Sequence, residues 1–195
     1  IFPEAGHAED ITRALQVANG RTVDPALVAE AKTAVNRVEA LAPGSSQSLL
    51  ARSYFVRVID ADYDSTRVLL EQGARMAPGD TRFAGNLGLL LHQNLGRSAE
   101  AAAYFRRVTA LDPSNINMHA SLALALGAID SLTAARAAAE RAHALLPSSA
   151  NTVRARVFVE LRAGDTTAAR TFLRRAMPAV TDGESAVLLG YELGW

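Results

Sequence analysis

Residues 82–113 read RFAGNLGLLLHQNLGRSAEAAAYFRRVTALDP. Leu87, Leu90 and Leu91 recur at helical spacing; after a break at Gly96, so do Ala101, Tyr104, Phe105 and Val108. The spacing predicts two short amphipathic helices, neither long enough to be stable alone. Gly88 and Ala101 are small where the two helices of a hairpin press closest, since a larger side chain would wedge them apart. Pro113 cannot continue a helix and ends the second one, and Ser114 or Asn115 can cap the next.

The same layout recurs on both sides. Pro43, Pro78, Pro113 and Pro147 are 35, 35 and 34 residues apart. Ala61-Asp62-Tyr63-Asp64, Asp130-Ser131-Leu132 and Gly164-Asp165 fall at the turn occupied by Gly96-Arg97. After that turn, Thr66 and Leu70, Ala135 and Ala139, and Ala169 and Leu173 stand where Ala101 and Phe105 do. A period of about 34 residues carrying Leu-Gly, then Ala and an aromatic, then Pro, resembles the tetratricopeptide repeat. The departure is the aromatic of the family's first helix, whose place is taken by Leu49, Ala84, His119 and Val153.

The resemblance implies an all-α, right-handed superhelical solenoid of antiparallel helix hairpins, about 11 helices in all, as one domain over residues 1–195. Residues 7–43 read as a degenerate or capping hairpin. Its first helix, His7 to Asn19, carries Ile11, Leu15 and Ala18 and ends at Gly20; its second starts at Asp24-Pro25 and runs through Leu27, Ala31, Val38 and Leu41. Repeats follow at 44–78, 79–113, 114–147 and 148–178, then a terminal helix at 182–195. The second repeat is expected to build its core on Leu49, Leu50, Tyr54, Phe55, Val58, Ile59, Val68, Leu69 and Leu70.

Composition narrows the function classes. Of 195 residues 49% are hydrophobic and only 6% aromatic, which suits helix packing. Twenty basic residues balance twenty acidic ones, so nothing points to nucleic acid. Lys32 is the one lysine among the basic residues, a bias that reads as genome composition. The absence of cysteine removes disulfides, thiolate metal sites and cysteine nucleophiles. No run of about 18 apolar residues is present, so the chain is expected to be soluble, cytoplasmic or periplasmic. It starts at Ile1 without methionine and reads as cropped or processed, a removed secretory segment being one explanation.

No cofactor, metal site or catalytic set is expected. Asp60, Asp62, Asp64 and Glu71 match four positions of a twelve-residue calcium loop, but Ser65 replaces its glycine, and the turn between helices, with Asp64 as cap, explains them better. His7, His92, His119 and His143 lie at different repeat phases and lack the spacing of a helix-borne zinc site. Nucleophile-elbow, Walker and dinucleotide motifs are missing.

The resemblance implies that partners lie along the concave wall formed by the first helices. That places Gln47, Leu50, Tyr54 and Arg57 in the groove from the second repeat, and Arg82, Leu89, His92 and Gln93 from the third. Asn117, Ala120, Leu124 and Ala128 follow from the fourth, and Asn151, Arg154, Phe158 and Arg162 from the fifth. Apolar anchors flanked by arginine suit a protein segment with aliphatic and acidic side chains. Leu89 and Leu124 lie close enough to the core stripe to be hairpin core instead. Asn86 is present, but Gly85 and Leu89 replace the clamp residues of the chaperone-tail receptors in this family, which disfavours that subclass.

At the C-terminal end, Leu189, Tyr191, Leu193 and Trp195 make a helix apolar almost all round, where a solenoid normally presents a polar face. Coverage by a partner protein, by a second copy or by further chain is expected. The chain therefore reads as a non-catalytic protein–protein interaction scaffold or adaptor. The alternatives are an interaction arm cut from a larger enzyme or regulator, and a structural subunit docked in a large, membrane-associated or other complex.

Overall fold

The computed structural model describes residues 25–180. They form nine α-helices and no strand among the described residues: α1 (Pro25–Leu41), α2 (Ser46–Phe55), α3 (Tyr63–Met76), α4 (Thr81–Leu89), α5 (Ser98–Leu111), α6 (Ile116–Ala128), α7 (Leu132–Leu145), α8 (Ala150–Arg162) and α9 (Thr166–Ala176). π-Helical segments, Val56–Asp60 and Leu90–Asn94, prolong α2 and α4, and a 3₁₀ turn, Met177–Ala179, follows α9. This is the all-helical architecture of a tetratricopeptide-like solenoid. The predicted helices at 7–19 and 182–195 lie outside the described residues.

Polar side chains begin most of these helices. Asp62, Asp80, Asn115 and Asp165 each accept a hydrogen bond from a backbone N–H in the first turn that follows, at 2.9, 3.0, 3.2 and 2.8 Å, and Ser45 does the same for α2. Each satisfies a donor the helix itself cannot. The cap of α3 is thus Asp62, not Asp64 as the sequence suggested. Asp64 stands in the first turn, where its carboxylate favours the positive end of the helix dipole.

The irregular period has a structural cause. From first-helix cap to second-helix cap, the second and third repeats (Ser45 to Asp62, Asp80 to Arg97) are one residue longer than the fourth and fifth (Asn115 to Ser131, Ser149 to Asp165). The two longer repeats are those that carry a π segment. An added residue inside a helix is absorbed as one wider turn, with hydrogen bonds reaching past the usual i−4 carbonyl. The amide of Asp62 reaches Val56 O at 3.2 Å and that of Arg97 reaches Leu91 O at 2.7 Å. In the shorter repeats Ser131 bonds to Leu126 O and Asp165 to Glu160 O, the ordinary Schellman closure. Gly96, Gly164, Ala61 and Asp130 supply the left-handed residue of the four turns.

The chain divides into two compact units, Ile1–Leu90 and Leu91–Trp195. In the described part of the first, α1 packs on α2, α2 on α3 and α3 on α4, around buried Leu49, Leu50, Leu70, Phe83, Leu87 and Leu90. In the second, α5 through α9 pack each on the next, and the first helices α6 and α8 also pack on one another. Its core is built of small side chains on α7 (Ala135, Ala139 and Ala142 are fully buried) and of Val153, Val157, Ala169 and Leu173 between α8 and α9. Alanine lets these helix axes approach closely, so the core is won by backbone proximity rather than by large side chains.

One core expectation does not hold: Val68 stands 55% exposed, because α3 turns that position to solvent. Leu41, at the end of α1, is 64% exposed. The aromatic missing from the expected place is supplied one residue earlier, by Phe83, whose ring is wholly buried.

Candidate functional site

Within the first unit, Tyr54 at the end of α2 and Asn86 on α4 are joined by a hydrogen bond: Asn86 Nδ2 donates to Tyr54 Oη at 2.9 Å and to Arg82 O at 2.8 Å. Asn86 is buried, and its Oδ1 has no partner. Arg57, half-buried in the π segment, lies over the Tyr54 ring with its guanidinium carbon 5.8 Å from the centroid. Burial pulls the Arg57 guanidinium below the ordinary arginine range, against the opposing pull of Tyr54 and Tyr63. Arg82 is exposed and is already neutralised by a two-pronged pairing with Asp80, whose hydrogen bonds raise the arginine's pKa and lower the aspartate's. Gln47 is exposed and Leu89 half-buried. Leu50, counted on sequence grounds both in the groove and in the core of its repeat, is only 7% exposed and belongs to the core.

Within the second unit, a row of side chains runs along α6 and α8. Asn151 Nδ2 donates to Asn117 Oδ1 at 3.5 Å, two residues at the same register of successive repeats, and Arg154 Nη2 donates to Asn151 Oδ1 at 3.1 Å. Farther along, Leu124 and Phe158 are half-buried, and Phe158 lies against Gly127, where a Cβ would fall 2.9 Å from its Cε1. At the far end Arg162 donates to Asp130 and, at 3.3 Å, to the carbonyl of Gly127. Ala120 is buried and Ala128 exposed. Gln93 is exposed, whereas His92 is half-buried, its Nδ1 2.9 Å from Ser98 Oγ, and burial lowers its pKa. The structure thus brings Asn117, Asn151 and Arg154 into one polar row, and ties Arg162 to the turn after α6. Leu189, Tyr191, Leu193 and Trp195 lie outside the described residues.

Sequence reasoning missed a buried charge cluster. Glu160, 3% exposed on α8, accepts from Arg136 of α7 (Nε to Oε1 and Oε2 at 3.3 and 3.1 Å, Nη2 to Oε2 at 2.8 Å) and pairs with Arg156 at 3.0 Å. Arg156 also donates to Glu140 at 2.6 Å and lies 5.8 Å over the Phe172 ring, which His143 meets edge-on at 5.0 Å. The signal was present: Val153, Val157 and Glu160 share one helical stripe, and an acid in an apolar stripe needs a cation. No group of histidines and carboxylates able to hold a metal occurs among the described residues, and no helix among them is long and apolar enough to cross a membrane.

Residues 81–115 match the model of the tetratricopeptide repeat family. Among solved structures the chain is similar to PilW, described as a widely conserved type IV pilus biogenesis factor, with a TM-score of 0.72 and 17% identity over 98% of this chain and 86% of that one. It is similar to MamA of strain AMB-1 with a TM-score of 0.64 and 20% identity, covering 87% of this chain and 96% of that one. A MamA fragment from Desulfovibrio magneticus RS-1 gives 0.65 and 15%, covering 89% and 94%. No curated protein sequence matches. PilW and MamA are tetratricopeptide-repeat proteins, and the resemblance read from residues 82–113 is borne out.

Proposed function

We propose that this chain is a non-catalytic adaptor that holds an extended or helical segment of another protein against the exposed faces of its first helices. The supporting observation is the row on α6 and α8: amides and a guanidinium at one end, half-buried Leu124 and Phe158 in the middle, Arg162 at the other. Amides at Asn117 and Asn151 can donate to and accept from a peptide backbone, while Leu124 and Phe158 offer apolar contact. Arg154, and to a lesser degree Arg162, which Asp130 already pairs, favour acidic side chains in the partner. A fold of repeated hairpins presents such a row without closing a pocket around it, which suits binding rather than catalysis.

The test is selection of binding peptides from a random displayed library by the whole 195-residue chain, repeated with Arg154→Glu and Arg162→Glu together. Captured peptides rich in acidic and aliphatic residues, losing at least about tenfold in affinity on reversal, are expected. Peptides bound equally well by both proteins would place the binding face elsewhere.

A further inference from the structure

The first unit contains a half-buried cation without a counter-ion. The Arg57 guanidinium makes no hydrogen bond and no ion pair among the described residues, and its carbon lies 5.8 Å over the Tyr54 ring. That arrangement costs desolvation and returns only part of it through the ring quadrupole. The other half-buried guanidiniums among the described residues have counter-ions: Arg136 has Glu160, and Arg156 has Glu140 and Glu160. The acid nearest in sequence, Asp60, is exposed and unbridged to Arg57.

The neighbouring hydroxyl is arranged to help an anion. Tyr54 Oη accepts from Asn86 Nδ2, which occupies its lone pair and leaves its own hydrogen free to donate. Asn86 is fixed in turn by donating to Arg82 O. Tyr63, at the start of α3, opposes the effect of burial on the Arg57 charge, as Tyr54 does. Arg82 approaches the same tyrosine but is already paired with Asp80. The site therefore offers one uncompensated positive charge and one hydroxyl donor, which balance one carboxylate and fall short of a phosphate dianion.

We propose that Arg57 and Tyr54 form a receptor for a single carboxylate, an aspartate or glutamate side chain of a protein partner. This rests on the reading of the chain as an adaptor and concerns a contact on the first unit alone. The π-helical turn Val56–Asp60 is part of the device, because Arg57 stands on the added wide turn rather than on a regular α-helical one.

Two measurements separate this inference from the reading beneath it. In the first, the arginine Nε–Hε resonances of the whole chain are followed during titration with N-acetyl-glutamate amide, N-acetyl-glutamine amide and inorganic phosphate. The Arg57 resonance, assigned by its loss in Arg57→Gln, is expected to shift and saturate with the glutamate derivative alone, while exposed Arg52 does not move. No shift of Arg57, or equal shifts with the glutamine derivative, overturns the carboxylate site; a stronger response to phosphate overturns the choice of anion. In the second, displayed peptides are selected on wild type and on Arg57→Gln. Loss of an acidic position from the selected consensus supports the site. An unchanged consensus overturns it while leaving the adaptor reading intact, and capture of no peptide by wild type overturns both.

Discussion

The ring of Phe83 fills the space beside Gly73 that any larger residue would need, joining α3 to α4 by direct contact of a backbone with an aromatic face. A Cβ at Gly73 would meet Cε1, Cζ and Cδ1 of that ring far inside van der Waals distance. Both residues are buried, and the ring has no open side to move toward. Gly73→Ala is therefore expected to destabilise the chain by about 2–3 kcal/mol, despite alanine's better helix propensity. Phe83→Leu in the same background should recover part of the loss. Chemical denaturation of the two single variants and the double checks this, and strict additivity would show that the two sites do not meet.

Ala61 closes the turn after the first π segment with φ of 52°, a left-handed conformation that a Cβ disfavours by about 1 kcal/mol. Ala61→Gly is expected to stabilise the protein by about 0.5–1 kcal/mol, the gain being trimmed by the greater freedom of glycine in the unfolded chain. The converse, Gly164→Ala at φ 76°, should cost a similar amount. Thermal midpoints moving in the same direction for both variants would contradict the backbone account.

Glu160 compensates charge from two arginines at a 4%-exposed side chain. Glu160→Gln leaves Arg136 without its partner and removes one of two from Arg156, an expected loss of about 2–4 kcal/mol, at the lower end because Arg136 keeps 41% of its side chain in water. A double-mutant cycle with Arg136→Met should return a coupling above about 1 kcal/mol. Coupling near zero would mean that the pair contributes nothing to joining α7 and α8.

Acidification should weaken the fold in two stages. Burial, assisted by Arg156 and Arg175, holds the His143 pKa below its ordinary value of about 6.5, and burial alone does so for His92. The unfolded chain then binds protons more readily than the folded one, so stability is full above the unfolded pKa and declines as pH falls through that region. Asp62, Asp80, Glu100 and Asp112 have depressed values, chiefly from side-chain hydrogen bonds, so their contribution is lost later, below the ordinary carboxylate range of about 4. Denaturation midpoints measured from pH 8 to 3 should show both steps, and His143→Asn should flatten the first.

The amino-acid order alone determined the all-helical hairpins, because caps, turns and apolar stripes act within one or two helical turns: Asp80, Gly96 and the stripe Leu87–Leu91 each announce themselves locally. It also exposed the period, and with it the resemblance to the tetratricopeptide repeat. Tertiary structure decided what depends on neighbours in space. The extra residue in two repeats became a wide turn inside a helix rather than a longer loop. Leu50 went to the core and Val68 to solvent, although helical spacing alone treats both as apolar. Only packing set Arg136 against Glu160 and left Arg57 without an acid, since which charges meet is fixed by how helices lean on one another and not by their separation along the chain.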